Sequence, residues 1–142
     1  MRALFDISVL LALLDQDHLR HEHARTWYAS ERAYGWASCP LSQNGFIRIM
    51  SQRSYSSSRS IGDALTILRA ATTRAEHQFW PDDVSILDAG MMDYTRLLGP
   101  KQITDVYLLA LAVKYGGRLV TLDTGISVQA VRGANAAHLV IV

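Results

Sequence analysis

The sequence holds a single cysteine, Cys39, so no disulfide can close within the chain and a cysteine-rich zinc site is excluded. It carries almost no net charge, +1 at pH 7, so bulk charge gives no reason to expect a nucleic-acid partner. Long apolar runs are missing as well. The stretch from Ile7 to Leu14 is too short to span a bilayer and contains Ser8, and the opening Met1 to Asp6 meets an acid too early for a signal peptide. Together these absences predict a cytoplasmic protein with no membrane segment. No repeat, long linker or second apolar core is visible, so residues 1–142 are expected to form one domain. Acidic residues are absent between Glu31 and Asp63, where Arg32, Arg48, Arg53 and Arg59 fall. That gap predicts a locally positive surface, although a solvated arginine face has the same pattern.

What is present reads as a globular α/β chain, with 49% apolar and 19% charged residues. Ala3 to Phe5 reads as a buried strand ending at Asp6, followed by an apolar helix through Val9 to Leu14. A second helix is expected from Asp17 or His18 through Tyr28, with His18 and His21 one turn apart on its solvated face. Trp36 to Cys39 reads as a strand closed by Pro40, and Ser42 as the N-cap of a helix carrying Phe46, Ile47, Ile49 and Met50. Residues 51–60 are serine-rich and read as a loop. A helix then runs from Ile61 or Asp63 through Ala71 near the 3.6-residue period. Phe79 to Asp83 reads as a turn and a helix start around Pro81. A further helix is expected through Ile86, Leu87, Met91 and Tyr94 to Leu98. Thr104-Asp105 opens the clearest helix, which ends near Lys114 before Gly116-Gly117. Leu119 to Leu122 is a strand ending at Asp123, and His138 to Val142 is the closing strand.

Continuous apolar strands alternating with helices predict a mostly parallel sheet covered on both faces. Such sheets bind ligands beyond the carboxyl ends of their strands. Asp6 and Asp123 each follow a strand, and Asp105 opens a helix, so all three are expected at one edge. Singly, each has a plainer explanation, as a turn residue or as an acid at a helix N-terminus. Clustered carboxylates repel, and need either a raised pKa or a cation. Oxygen donors without paired histidines favour Mg²⁺, with Mn²⁺ as substitute, over Zn²⁺.

Leu4-Phe5-Asp6-Ile7-Ser8-Val9-Leu10-Leu11-Ala12-Leu13 resembles the opening of PIN domains. Cys39-Pro40-Leu41-Ser42-Gln43-Asn44-Gly45-Phe46-Ile47-Arg48 resembles their second motif. Ile103 to Ala112 and Arg118 to Asp123 resemble the third and fourth. The order covers almost the whole chain and is most similar to the VapC group of toxin ribonucleases. The resemblance implies a three-layer α/β/α fold with a five-stranded parallel sheet, and metal-dependent endoribonuclease activity leaving 5′-phosphate and 3′-hydroxyl ends. It also implies a cognate VapB-type antitoxin and a homodimer, and it carries the metal-binding and catalytic roles onto Asp6, Asp105 and Asp123.

Two residues depart from the family pattern, Gln43 where Glu is usual and Ser8 where Asn is frequent. Gln43 can offer an oxygen as an outer ligand but adds no charge. With three carboxylates instead of four, one ion is expected to be held firmly and a second to be absent or recruited with RNA. Ser8 is expected to cap the first helix. Arg48, Arg53 and Arg59 are candidates for RNA phosphates, and Tyr55 for stacking on an unpaired base. The helices Ile7–Leu14 and Arg20–Tyr28 form either a groove for an antitoxin helix or simply core. The competing reading is a catalytically silent RNA- or protein-binding module, motivated by Gln43. A haloacid-dehalogenase-type phosphotransferase fits poorly, because Asp6-Ile7-Ser8 lacks the second aspartate of that pattern.

Overall fold

The computed structural model describes all of residues 1–142. Five strands, β1 (Ala3–Phe5), β2 (Trp36–Ser38), β3 (His77–Phe79), β4 (Arg118–Thr121) and β5 (Leu139–Ile141), form one sheet in the order β3-β2-β1-β4-β5. Every pairing is parallel. The helices are α1 (Ile7–Leu14), α2 (His21–Glu31), α3 (Pro40–Met50), α4 (Ile61–Thr72) and α5 (Ile103–Lys114). Strand side chains alternate between faces, and the core divides accordingly. Phe5, Trp36 and Val120 pack with Val9, Phe46 and Leu68 of α1, α3 and α4. Leu4, Ala37 and Leu119 pack on the opposite face against Leu108, Leu109 and Leu111 of α5. The result is the expected three-layer α/β/α architecture. No helix is long and apolar enough to cross a membrane.

Close backbone approaches set the register at the amino edge. A Cβ on Gly117 would lie 2.6 Å from the Arg2 carbonyl oxygen and 2.6 Å from the Trp80 ring, so only glycine lets β4 start beside β1. The Arg2 guanidinium donates to the carbonyls of Trp36 and Glu76, at 3.2 and 2.7 Å, tying β1 to β2 and to the entry of β3.

Several boundaries differ from the sequence reading. Helix α3 begins at Pro40, with Cys39 as its N-cap, because proline suits the first helical position. Ser42 is therefore not the cap; its buried hydroxyl, one turn in, accepts from the Cys39 N–H and donates to the Cys39 carbonyl. Helix α2 starts at His21, since the Asp15 side chain takes the Asp17 N–H and the His18 ring takes the Arg20 N–H, holding residues 15–20 in turns. His21 reaches the Ala12 carbonyl at 2.8 Å. No helix begins at Asp82-Asp83. Asp82 instead accepts from the Leu41 N–H at the start of α3, while Asp83 pairs with Lys114 and Tyr115.

The helix expected over Ile86–Leu98 is absent. Ser85, Asp88 and Asp93 each take a backbone N–H two residues on, from Leu87, Gly90 and Thr95. These local turns outcompete the helical ladder. Met92, fully buried, bridges to Val131 and pins the segment against the α5 face.

Candidate active site

Asp6 follows β1 directly. Its N–H completes the ladder to the Val120 carbonyl, and its side chain caps α1 by accepting from the Ile7 N–H at 2.6 Å. The carboxylate is 7% exposed, so its remaining partners matter. The Ser8 hydroxyl donates to Oδ2 at 2.8 Å and the Thr121 hydroxyl donates to the same oxygen at 2.9 Å. Each of those hydroxyls also accepts from the chain leaving β4: Ser8 from Leu122 N–H, Thr121 from Asp123 N–H. Two hydroxyls thus fix the rotamer of Asp6 and stitch it to the backbone that presents Asp123. Ser8 does not cap α1, as Asp6 already does; it joins β1 to β4 at the site.

Asp123 lies two residues beyond the last residue of β4, not directly after it, because Thr121 turns the chain there. One of its oxygens accepts from Gly125 N–H at 2.7 Å. Asp105 is the third residue of α5. Gln102, just before that helix, donates its amide N–H to the Gly125 carbonyl at 2.8 Å, which binds the Asp123 loop to the start of α5. Asp105 is partly buried, and burial pushes its carboxyl up to about 6; the charges of Asp6 and then Asp123 push in the same direction. All three expected acids therefore lie at the carboxyl edge of the sheet, near enough for the charges of Asp6 and Asp123 to act on Asp105. Thr121 and Gln102 were not singled out from the sequence. The available signal was a hydroxyl inside the apolar run Leu119-Val120-Thr121-Leu122.

The grouping is loose. No three acidic, histidine or cysteine side chains form a ready-made metal cage. The donor chemistry is nonetheless oxygen only, and the repulsion that Asp6 and Asp123 exert on Asp105 is what a cation would relieve. Mg²⁺ keeps several waters and takes only one or two carboxylates directly, so a loose cluster fits that ion better than a closed tetrahedral site would.

Gln43 sits one turn into α3, at the same edge, and its amide nitrogen donates to Ser38 Oγ at 2.9 Å. Gly45, two residues on, lies against Ile7, which follows Asp6; a Cβ there would come within 2.1 Å of Ile7 Cδ1. Arg48, Arg53 and Arg59 are all exposed, and none has an acidic partner within salt-bridge distance. Tyr55 is not free for base stacking. Its hydroxyl donates to Asp15 Oδ2 at 2.6 Å and its ring packs against the α1–α3–α4 core. Burial, reinforced by the Asp15 carboxylate, drives the phenol well above its ordinary pKa.

A cavity of about 230 Å³ lies on the α1–α2–α4 face, floored by Phe5, Leu10, Leu14 and Trp36 and edged by Arg25 and Arg74. None of the three clustered aspartates lines it.

The chain matches the PIN domain over residues 3–131. It is 52% identical over 139 residues to Ribonuclease VapC44 of Mycobacterium tuberculosis strain H37Rv, covering 98% of both chains. It is 39% identical to Ribonuclease VapC39 of the same strain, over 94% of this chain and 96% of that one. Among solved structures it is similar to Mycobacterium tuberculosis VapC20, described as a sarcin-ricin-loop-cleaving toxin. That likeness has a TM-score of 0.57, 15% identity, and coverage of 82% of this chain and 85% of that one. It is similar also to VapBC2 of Rickettsia felis bound to promoter DNA, with a TM-score of 0.57, 10% identity and 87% and 89% coverage. At that identity the solved structures speak to the fold, and the close sequence relatives to the family: the chain belongs to the PIN-domain family, in its VapC group.

Proposed function

We propose that the protein is a divalent-metal-dependent endoribonuclease toxin held in check by a VapB-type antitoxin. The observation that carries this reading is the meeting of Asp6, Asp105 and Asp123 at one sheet edge, joined through Thr121 and Gln102, with none of the three in an ion pair. Asp6 and Asp105 would hold Mg²⁺ or Mn²⁺, with Asp123 reaching it directly or through water and Gln43 as an outer oxygen. When bound, the metal supplies a nucleophilic water at neutral pH and offsets charge on the phosphoryl oxygens. The chain's own part is orientation. Ser8 and Thr121 hold Asp6, and Gln102 holds the Asp123 loop against α5. Attack by water on phosphorus with loss of the 3′-oxygen leaves 5′-phosphate and 3′-hydroxyl ends.

Arg48, Arg53 and Arg59 supply the positive surface for RNA, while Tyr55 is left out of that set because it is bound to Asp15. The antitoxin would seat an amphipathic helix on the α1–α2 face, with its apolar side over Phe5, Leu10 and Leu14 and acidic groups near Arg25 and Arg74. The homodimer belongs to the same proposal.

The test is cleavage of structured RNA with Mn²⁺, with EDTA and with mapped ends. Metal-dependent cuts bearing 5′-phosphate are expected; full activity in EDTA, or 2′,3′-cyclic phosphate ends, would overturn the chemistry. Replacing the three arginines with Ala is expected to weaken RNA binding at low salt and to flatten the salt dependence by about 0.7–0.9 per lost phosphate contact. An unchanged slope would remove them from the interface. The substitution at Gln43 favours one rival, a silent RNA- or protein-binding member; RNA binding without cleavage under all metal conditions would select it.

A further inference from the structure

At the carboxyl end of β2 a chain of hydrogen bonds joins Gln43, Ser38 and His77. Ser38, the last residue of β2, is fully buried. Its Oγ lies 2.9 Å from Gln43 Nε2 and 2.8 Å from His77 Nε2. Nε2 is thus the ring nitrogen turned to Ser38, and Nδ1 points away from it. Burial, with the Arg2 charge adding to it, holds this imidazole below its ordinary pKa and therefore neutral at pH 7.

The direction of the Gln43 amide sets the proton count. A serine hydroxyl has one hydrogen to give, and a neutral ring protonated at Nδ1 has a lone pair at Nε2 to take it. Ser38 gives it to His77, so Ser38 must accept from residue 43. An amide N–H can supply that bond. With its nitrogen directed inward, Gln43 has its carbonyl oxygen left over, and no protein group donates to that oxygen. The flipped amide would turn its oxygen to Ser38 and require the ring proton on His77 Nε2. A glutamate at 43 would require the same change of ring proton. A carboxylate only accepts, so Ser38 would turn to it and His77 Nε2 would need a proton of its own.

We infer that Ser38 and His77 are positioning residues for Gln43, holding its amide nitrogen inward so that an oxygen faces the carboxyl edge beside Asp6. The inference rests on the metal-dependent reading above and deepens it: the pair is matched to glutamine, and makes a neutral oxygen donor of the position where the family usually has an acid.

The test uses the whole protein at pH 7.5. Long-range ¹⁵N correlations of the histidine rings are expected to show His77 Nε2 unprotonated and Nδ1 protonated in the wild type, and Nε2 protonated in Gln43→Glu. In RNA cleavage with Mn²⁺, Ser38→Ala and Gln43→Ala are each expected to lower kcat by up to about tenfold with KM little changed. The double variant should be no slower than the slower single, because both changes remove one device. Ser38→Thr, which keeps the hydroxyl, should recover most of the rate. A wild-type His77 protonated at Nε2, or fully additive losses in the double variant, would overturn the positioning role while leaving the nuclease intact. A wild type that shows the expected ring proton but neither binds Mn²⁺ nor cuts RNA would instead overturn the metal reading, and the purpose of the relay with it.

Discussion

Asp105→Asn is expected to lower RNA cleavage by at least about 100-fold and, in the same molecule, to make the metal-free protein more stable. Both effects have one source. The folded protein raises the Asp105 carboxyl from 3.8 to about 6, first by burial and then by the charges of Asp6 and Asp123. A group that binds its proton more tightly when folded contributes stability at low pH, and that contribution is lost as pH rises through the folded value. The window here runs from about pH 4 to pH 6. Above it the ionised side chain stays a liability. Asparagine has nearly the same shape and no charge, so it escapes the repulsion. After a discount for partial exposure and water screening, the gain at pH 7.5 in EDTA should be on the order of 1–2 kcal/mol. Wild type and variant should converge near pH 3, where Asp105 is protonated in both states. Mg²⁺ should reverse the order at pH 7.5, by stabilising the wild type alone. Thermal unfolding across pH, with and without Mg²⁺, checks each part. A variant equal in stability to the wild type at every pH would mean the three charges do not share a volume, and a variant that still cuts RNA would clear Asp105 of any part in the reaction.

The acids were legible in the sequence because each sits where an apolar segment meets a polar edge. Asp6 and Asp105 stand out against Leu4-Phe5 and Val106-Tyr107-Leu108, and a charge in such a setting needs a reason. Strands β1, β2, β4 and β5 were legible on the same grounds, as short apolar runs bounded by turn residues. Strand β3 was not. It has three residues, His77-Gln78-Phe79, and lies at the sheet edge with Gln78 and Phe79 exposed, so it carries no apolar run and is defined only by its pairing to Trp36–Ser38. The helix expected over Ile86–Leu98 failed in the opposite way. Its apolar spacing reads as helical, but Ser85, Asp88 and Asp93 sit where their side chains can close local turns, and Ile86, Met91, Met92 and Leu97 dock while Leu87 and Leu98 stay exposed. The supporting residues were invisible for a further reason. Thr121, Gln102 and Ser38 act through partners 115, 23 and 39 residues away, and nothing in local composition encodes such distances.

The second large effect is expected far from the acids, at Asp15. This carboxylate is fully buried at the end of α1 and accepts from the Tyr55 hydroxyl at 2.6 Å and the Asp17 N–H at 3.0 Å. Burial alone would raise its pKa, but the bonds from Tyr55 and Asp17, with the nearby Ser57 side chain and the charge of Arg59, outweigh it and leave it below the ordinary value. Asp15→Ala strands a half-buried phenol and a backbone N–H, and should cost about 3 kcal/mol, whereas Tyr55→Phe, which removes one donor and leaves no polar atom unpaired in its own ring, should cost about 1–2. Here the sign runs opposite to Asp105. A depressed pKa contributes stability above the unfolded value and loses it as pH falls, so the gap between wild type and Asp15→Ala should be full at pH 7 and narrow below about pH 4. Urea unfolding at pH 7 and pH 3 measures it. The function should follow the tether. Asp15 is what fastens residues 51–60 to the end of α1, and that loop carries Arg53 and Arg59, so freeing it should weaken RNA binding without changing metal affinity. If instead Asp15→Ala bound Mn²⁺ less tightly and RNA as well as before, the loop would have no share in holding the substrate.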